Sequence, residues 1–215
     1  MSSTITDSSS AMPLPFGLTR VKVIGVGGGG SNTVMRILGS KVPGVEFFCA
    51  NTDANALSAV QGATVIRIGE TLTQGYGAGG KIDVGLKAAQ ESQQALRDAL
   101  QGANLVFIAA GMGGGTGSGA APLVAEVAKS LGALTVAIVT TPFSFEGAKR
   151  AATATQGMMA LKNKVDTLIV VANDRLLALA GEGASVQDAF KKADEVSAQA
   201  IIAVSRIINV PGQIN

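Results

Sequence analysis

The 215 residues contain no histidine. Within them this rules out a histidine general base, a Ser-His-Asp triad and every histidine-containing metal site. Cysteine occurs once, as Cys49, so no internal disulfide forms. Its place in the apolar run VEFFCAN predicts a buried, inert thiol, consistent with a reducing compartment. Aromatic residues make up 4% and charged residues 15%, and 17 basic against 15 acidic side chains give a net charge of +2 without a basic cluster. Nucleic-acid binding is therefore not expected. The apolar runs are roughly five to eight residues long, too short to cross a bilayer, and the start of the chain does not read as a signal peptide. The expectation is a soluble protein with no direct membrane insertion. The pattern G-x-x-x-x-G-K-[ST] is also missing, which argues against an ordinary P-loop NTPase.

What is present points to a well-buried globular domain. Apolar content is 47%, and the length suits one large core. Residues 1–19 are rich in Ser and Thr, carry two prolines and show no periodicity, so they read as a disordered tail. From Arg20 onward, β-branched apolar runs recur at 20–26, 45–51, 63–69, 104–110, 134–140 and 166–172. Alanine-rich segments with helical spacing lie between most of them, at about 30–40, 83–101, 117–131 and 147–163. Strands apolar on both faces, alternating with helices, predict an α/β fold: a doubly wound, mainly parallel, six-stranded Rossmann-like sheet covered on both faces. In such sheets ligands bind beyond the carboxyl ends of the strands.

Three glycine-rich stretches follow strands there: GVGGGGSN (25–32), GETLTQGYGAGGK (69–81) and GMGGGTGSGAAP (111–122). Glycine lets main-chain N–H groups approach a ligand without an intervening Cβ, and a helix N-terminus adds partial positive charge. Such N–H donors, each worth about 1.5–3 kcal/mol to an anion, suit a chain of phosphates. Two ligand classes remain open at this level. Gly25, Gly27 and Gly30 match G-x-G-x-x-G, and Asp53 follows the second strand where a ribose-binding acid of an NAD domain would stand. A dehydrogenase, however, has no use for the richer third stretch, and the chain lacks a histidine to partner hydride transfer.

GGGTGSG, at 113–119, matches the nucleotide signature of the tubulin family, and the chain resembles its FtsZ branch, the division GTPases of bacteria and plastids. The resemblance runs through VKVIGVGGGGSN, VEFFCANTDANAL, GAGG, VFIAAGMGGGTGSGAAP, TPFSFEG, VDTLIVVANDRLL and DAFKKADEV, covering nearly all of 21–215. It implies a domain that binds GTP and GDP, with Mg2+ carried by the nucleotide and no protein side chain as metal ligand. Gly28, Gly29 and Asn32 match the first phosphate stretch, with Ala78, Gly79 and Gly80 matching the second. Gly113, Gly114, Gly115, Thr116 and Gly117 match the signature around the β and γ phosphates. Glu146 and Arg150 match sugar and phosphate contacts, and Asn173, Phe190 and Asp194 match residues that read and stack on guanine. Asp53, Thr140 and Pro142 complete the nucleotide-binding candidates. From the residues alone, Phe190 equally fits plain core, Glu146 and Arg150 a surface ion pair, and Asn173 an N-cap for DRLLALAG. Two positions depart from the family: Lys81-Ile82 stands where Asn-Pro is frequent, and Ser118 replaces a common threonine while keeping the hydroxyl.

A long helix is expected over 185–212, opened by the capping-box-like Ser185-x-x-Asp188 and stopped at Pro211-Gly212. Ala200, Ile201, Ile202, Ala203, Val204, Ile207, Ile208 and Val210 lie on more than one of its faces, so a partner is expected on the side away from the sheet. In the family this helix joins the GTPase domain, here 20–184, to a second domain. A loop N-x-D-x-x-D then supplies acids that polarise water against GTP on the neighbouring subunit. Asn215 matches its Asn, within 213–215. The resemblance thus implies that these 215 residues bind GTP and GDP but hydrolyse GTP slowly alone. It also implies head-to-tail self-association into division-ring filaments, membrane-tethering division proteins recruited by a tail, and a cytoplasmic midcell location or, alternatively, the plastid stroma. A filament-capping role is the competing reading.

Overall fold

The computed structural model describes residues 19–40, 44–180 and 185–209. Nearly all of the expected tail, residues 181–184 of the expected GTPase domain, and everything from Val210 to Asn215 lie outside the described residues. The chain runs β1 (Val21–Val26), α1 (Gly27–Ile37), β2 (Val45–Asn51), α2 (Ala54–Ser58), β3 (Thr64–Arg67), α3 (Glu70–Thr73), α4 (Ile82–Glu91), α5 (Gln93–Leu100), β4 (Leu105–Gly111), α6 (Gly115–Ser130), β5 (Leu134–Thr141), α7 (Ala148–Lys162), β6 (Thr167–Ala172), α8 (Asn173–Ala180) and α9 (Val186–Asn209). All six strands are parallel, in the order β3-β2-β1-β4-β5-β6, which is the doubly wound α/β sheet the sequence predicts.

Alternation along the central strands feeds two cores. Val21 and Val23 join Phe107, Ala109 and Ile138 beneath α1 and α9, where Val34, Ile37, Ile201 and Ile202 pack. Ile24 and Val26 join Val106, Ile108 and Val139 beneath α5, α6 and α7, whose Leu96, Val124, Val127 and Leu161 cover that face. Every residue of β1 is buried, whereas β3 at the sheet edge exposes three of its four. Cys49 sits fully buried in the α1/α9 core, and burial pushes its thiol up.

Two local differences from the sequence reading have physical causes. The third strand spans 64–67 rather than 63–69, because Gly69 adopts φ +66° and turns the chain away. The helix expected over 83–101 is two helices broken at Ser92, whose hydroxyl accepts from Gly69 N–H at 3.0 Å. Next to it, the Glu91 carboxylate accepts from Thr71 and Leu72 N–H, which holds its pKa down. The break therefore pins the turn that follows β3. The long helix forms over Val186–Asn209, and Ser185 Oγ accepts from Asp188 N–H and donates to Asp188 Oδ2, as the S-x-x-D pattern predicts.

Candidate functional site

After β1 the chain winds outward through β2 and β3, then returns to β4 on the other side of β1. The neighbouring ends of β1 and β4 are thus the point where the winding reverses, and a crevice opens there. The first turns of α1 and α6 start on either side of it. These turns are the glycine-rich stretches themselves: the sequence reads them as loops, yet the chain is helical from Gly27 and from Gly115. Each helix start presents N–H groups without intrahelical partners, together with the positive end of its dipole.

The glycines divide into two kinds. A Cβ on Gly30 would lie 2.2 Å from Ala109 O, and one on Gly117 would lie 2.3 Å from Gly111 O. These glycines let helix backbone press directly on strand backbone. Gly28 and Gly114 would meet nothing within 4 Å and face the crevice. Gly113, just before Gly114, has φ +105°, and its N–H donates to the buried Ser118 Oγ at 2.9 Å. The departure at Ser118 therefore braces the signature turn rather than the ligand.

The crevice holds about 340 Å³ and brings together Gly28, Gly29, Gly114, Gly115, Thr116, Gly117 and Thr140 at one end, while Asn32 also lines a neighbouring cavity with Phe190 and Asp194. Asn173, Phe190 and Asp194 line the other end, and Glu146 and Arg150 stand on the wall between, Arg150 beside Gly113. Glu146 accepts from Phe143 N–H at 2.8 Å and pairs with Arg150, so the ion pair weighed from sequence forms, but on the crevice wall. Asn173 is the first residue of α8 and does not cap it. Its Oδ1 is buried without a hydrogen-bond partner. Phe190 is not core: 40% exposed, it meets the buried Phe143 ring edge-on at 4.9 Å. Asp194 follows Phe190 by one turn of α9, so both lie on the same face. Desolvation pushes its carboxyl up to about 6, against the opposing pull of Arg36, whose Nε is 3.6 Å away.

Six sequence candidates lie off this crevice. Asp53 turns away to cap α2, its Oδ1 accepting from Asn55 N–H at 2.9 Å and Ala56 N–H at 3.1 Å, which removes the ribose-binding acid of the NAD reading. Gly80 and Gly113 line an adjoining cavity of about 260 Å³ with Lys149, Arg150 and Thr153. Ala78 is buried with its Cβ 2.9 Å from where a Cβ on Gly115 would stand, and Pro142 packs against Gly113. Gly79, at φ +58°, meets nothing within 4 Å. Lys81, the other departure, closes against Gly115 through its main chain. Gly27, singled out within G-x-G-x-x-G, lines the crevice too, whereas the sequence reading missed Gly111, Met112, Thr141 and Ala193 there. Ala193 was within reach, since it lies three residues after Phe190. Among the described residues no group of three His, Cys, Asp or Glu side chains is placed to hold a metal, and no helix is long and apolar enough to cross a membrane.

A family profile described as the Tubulin/FtsZ family, GTPase domain, matches residues 20–181. The cell division protein FtsZ of Pseudomonas putida is 52% identical over 195 residues, which is 91% of this chain and 49% of that protein. The chain spans about half the length of that curated relative. An FtsZ structure from M. jannaschii, described as an empty dimer, superposes with a TM-score of 0.88 at 42% identity over 92% of this chain and 57% of that one. CetZ2 of Haloferax volcanii, in a structure described as a GTPgS-bound protofilament, has a TM-score of 0.80 over 91% of this chain and 61% of that one. At 23% identity it supports the fold alone.

Proposed function

The chain belongs to the tubulin/FtsZ family as its GTPase domain, and on that premise we propose that it binds GTP and GDP in the crevice between α1 and α6. One observation carries this reading: two helix N-termini, bare of Cβ at Gly28 and Gly114, share one crevice with an acceptor, an amide and an aromatic ring at its far end.

Helix N–H groups at 28–29 and 114–117 are suited to the phosphates, which repel carboxylates and favour dipole ends. Thr116 adds a hydroxyl donor. Glu146 and Arg150 stand on the wall between the ends, placed for the sugar and the phosphates. At the far end, an ionised Asp194 accepts from the N1–H and N2–H donors of guanine, which adenine lacks. The unpartnered Asn173 Oδ1 gains a donor there, and the Phe190 face covers the ring. Asp53, Ala78, Gly79, Gly80, Gly113 and Pro142 support this arrangement from outside the crevice. Mg2+ accompanies the nucleotide, held by phosphate oxygens and water.

Hydrolysis by the intact family needs carboxylates from the loop that follows the long helix, acting on nucleotide of the next subunit. Residues 1–215 alone therefore bind nucleotide and turn it over slowly. Head-to-tail self-association at the division site in the cytoplasm follows from the family. The 81% exposed Ile207 supports a further domain docking on α9. Phosphate release measured from these residues alone and from a longer chain including the loop tests the reading. Slow release by the first alone is expected, and equal rates contradict it.

A further inference from the structure

Thr52 lies just beyond β2 and outside the crevice, yet all three of its polar groups are committed. Its N–H donates to Asn51 Oδ1 at 2.8 Å. Its carbonyl accepts from Gly77 N–H at 3.2 Å and from the Thr73 hydroxyl at 3.1 Å. Its hydroxyl stands 2.7 Å from Thr116 Oγ1, with Thr52 fully buried and Thr116 9% exposed on the crevice wall.

Two hydroxyls facing each other share one proton along their line. When Thr116 donates to Thr52, its lone pairs face the crevice and repel an anion. When Thr52 donates to Thr116, the Thr116 proton is free to point outward. We propose that Thr52 is a positioning residue for polyphosphate binding: it fills the Thr52–Thr116 line with its own proton and so turns Thr116 into a donor toward the anion. The proposal rests on the reading that the crevice takes the phosphates of a guanine nucleotide. Because the Thr52 main chain is fixed by β2 and by the 73–77 turn, the donor is held in place before the ligand arrives. An anchored hydroxyl costs less to orient than a free one.

The test is a double-mutant cycle on the 215-residue chain, reading dissociation constants for GTP and GDP. Thr52→Val removes the hydroxyl at nearly constant volume and is expected to weaken both about tenfold. Thr52→Ser keeps the hydroxyl and stays within about twofold of the parent. Thr116→Val weakens binding at least as much as T52V, and adding T52V to it costs nothing further, because Thr52 acts only through Thr116. Where T52V does not fold, Thr52→Ala carries the same expectation. Unchanged affinity in T52V, a T52S as weak as T52V, or losses that multiply in the double variant would each overturn the proposal. A parent chain that binds no GTP overturns the functional reading and this proposal with it.

Discussion

The two ends of the crevice are built from different material. The end at α1 and α6 is main chain, and its precision comes from glycines through which helices touch strands with no side chain between. The end at α8 and α9 is side chain: an amide with an unpartnered oxygen, a half-exposed ring and a carboxyl whose pKa burial raises to about 6. A ligand that is all phosphate needs only the first end, and a ligand told apart by its base needs the second. Backbone cannot vary without moving the sheet, so the first end is tied to stability. Side chains can vary alone, so the second end is tied to specificity.

Substitutions should break that contrast in order of size. Gly30→Ala places a Cβ 2.2 Å from Ala109 O and should cost about 3 kcal/mol or more, lowering Tm by roughly 6–12 °C. Gly28→Ala, into open space, should leave Tm unchanged in the same melts while weakening triphosphate binding. Equal melting of the two variants would show that the glycines are not divided as the geometry has it. At the other end, Asp194→Asn should leave the fold intact but lower the preference for GTP over ATP by about 100-fold, read by competition binding.

The titration of Asp194 gives opposite slopes for binding and stability. Its carboxyl lies at about 6 in the fold against 3.8 for an ordinary aspartate. Guanine affinity should fall about tenfold from pH 7 to pH 5 as the acceptor is protonated. The free protein should change the other way. A raised carboxyl contributes stability that is fully present below 3.8 and lost as pH rises through about 6. Melts from pH 4.5 to 7.5 should show that slope in the parent and not in D194N. Asp166, held down to about 2 by Lys129 and by Thr135, acts only in stronger acid and in the opposite sense: its contribution is lost as pH falls below 3.8. The smallest effect is at Asn173. Its Oδ1 has no partner to lose, so Asn173→Ala should cost at most about 1 kcal/mol of stability while weakening GTP about fivefold.

Much of this was legible in the sequence. Strands of Val, Ile and Phe flanked by alanine-rich helices admit few architectures, and the parallel sheet follows from strands apolar on both faces. Phe190 and Asp194 came from the family resemblance, since from the residues alone Phe190 equally fits plain core. The division of labour among the glycines was not, because Gly28 and Gly30 are two residues apart and chemically identical. Only the position of β4 beneath α1 tells them apart. Asp53 was misleading, since an acid after a second strand serves a ribose or a helix cap equally well. Thr52 gave no local sign of its role, as its partner Thr116 is 64 residues away. The break at Ser92 was hidden because the residue that competes for its hydroxyl, Gly69, lies on another element.

The most direct test compares binding of GTP, GDP, ATP and NAD to the purified chain by calorimetry at pH 7.5. Binding of GTP and GDP, with ATP and NAD weaker by about 100-fold or more, is the result predicted by a main-chain phosphate cradle joined to a carboxylate that reads guanine. Equal affinity for GTP and ATP would remove Asp194 from base recognition, and a preference for NAD would contradict the account at its centre.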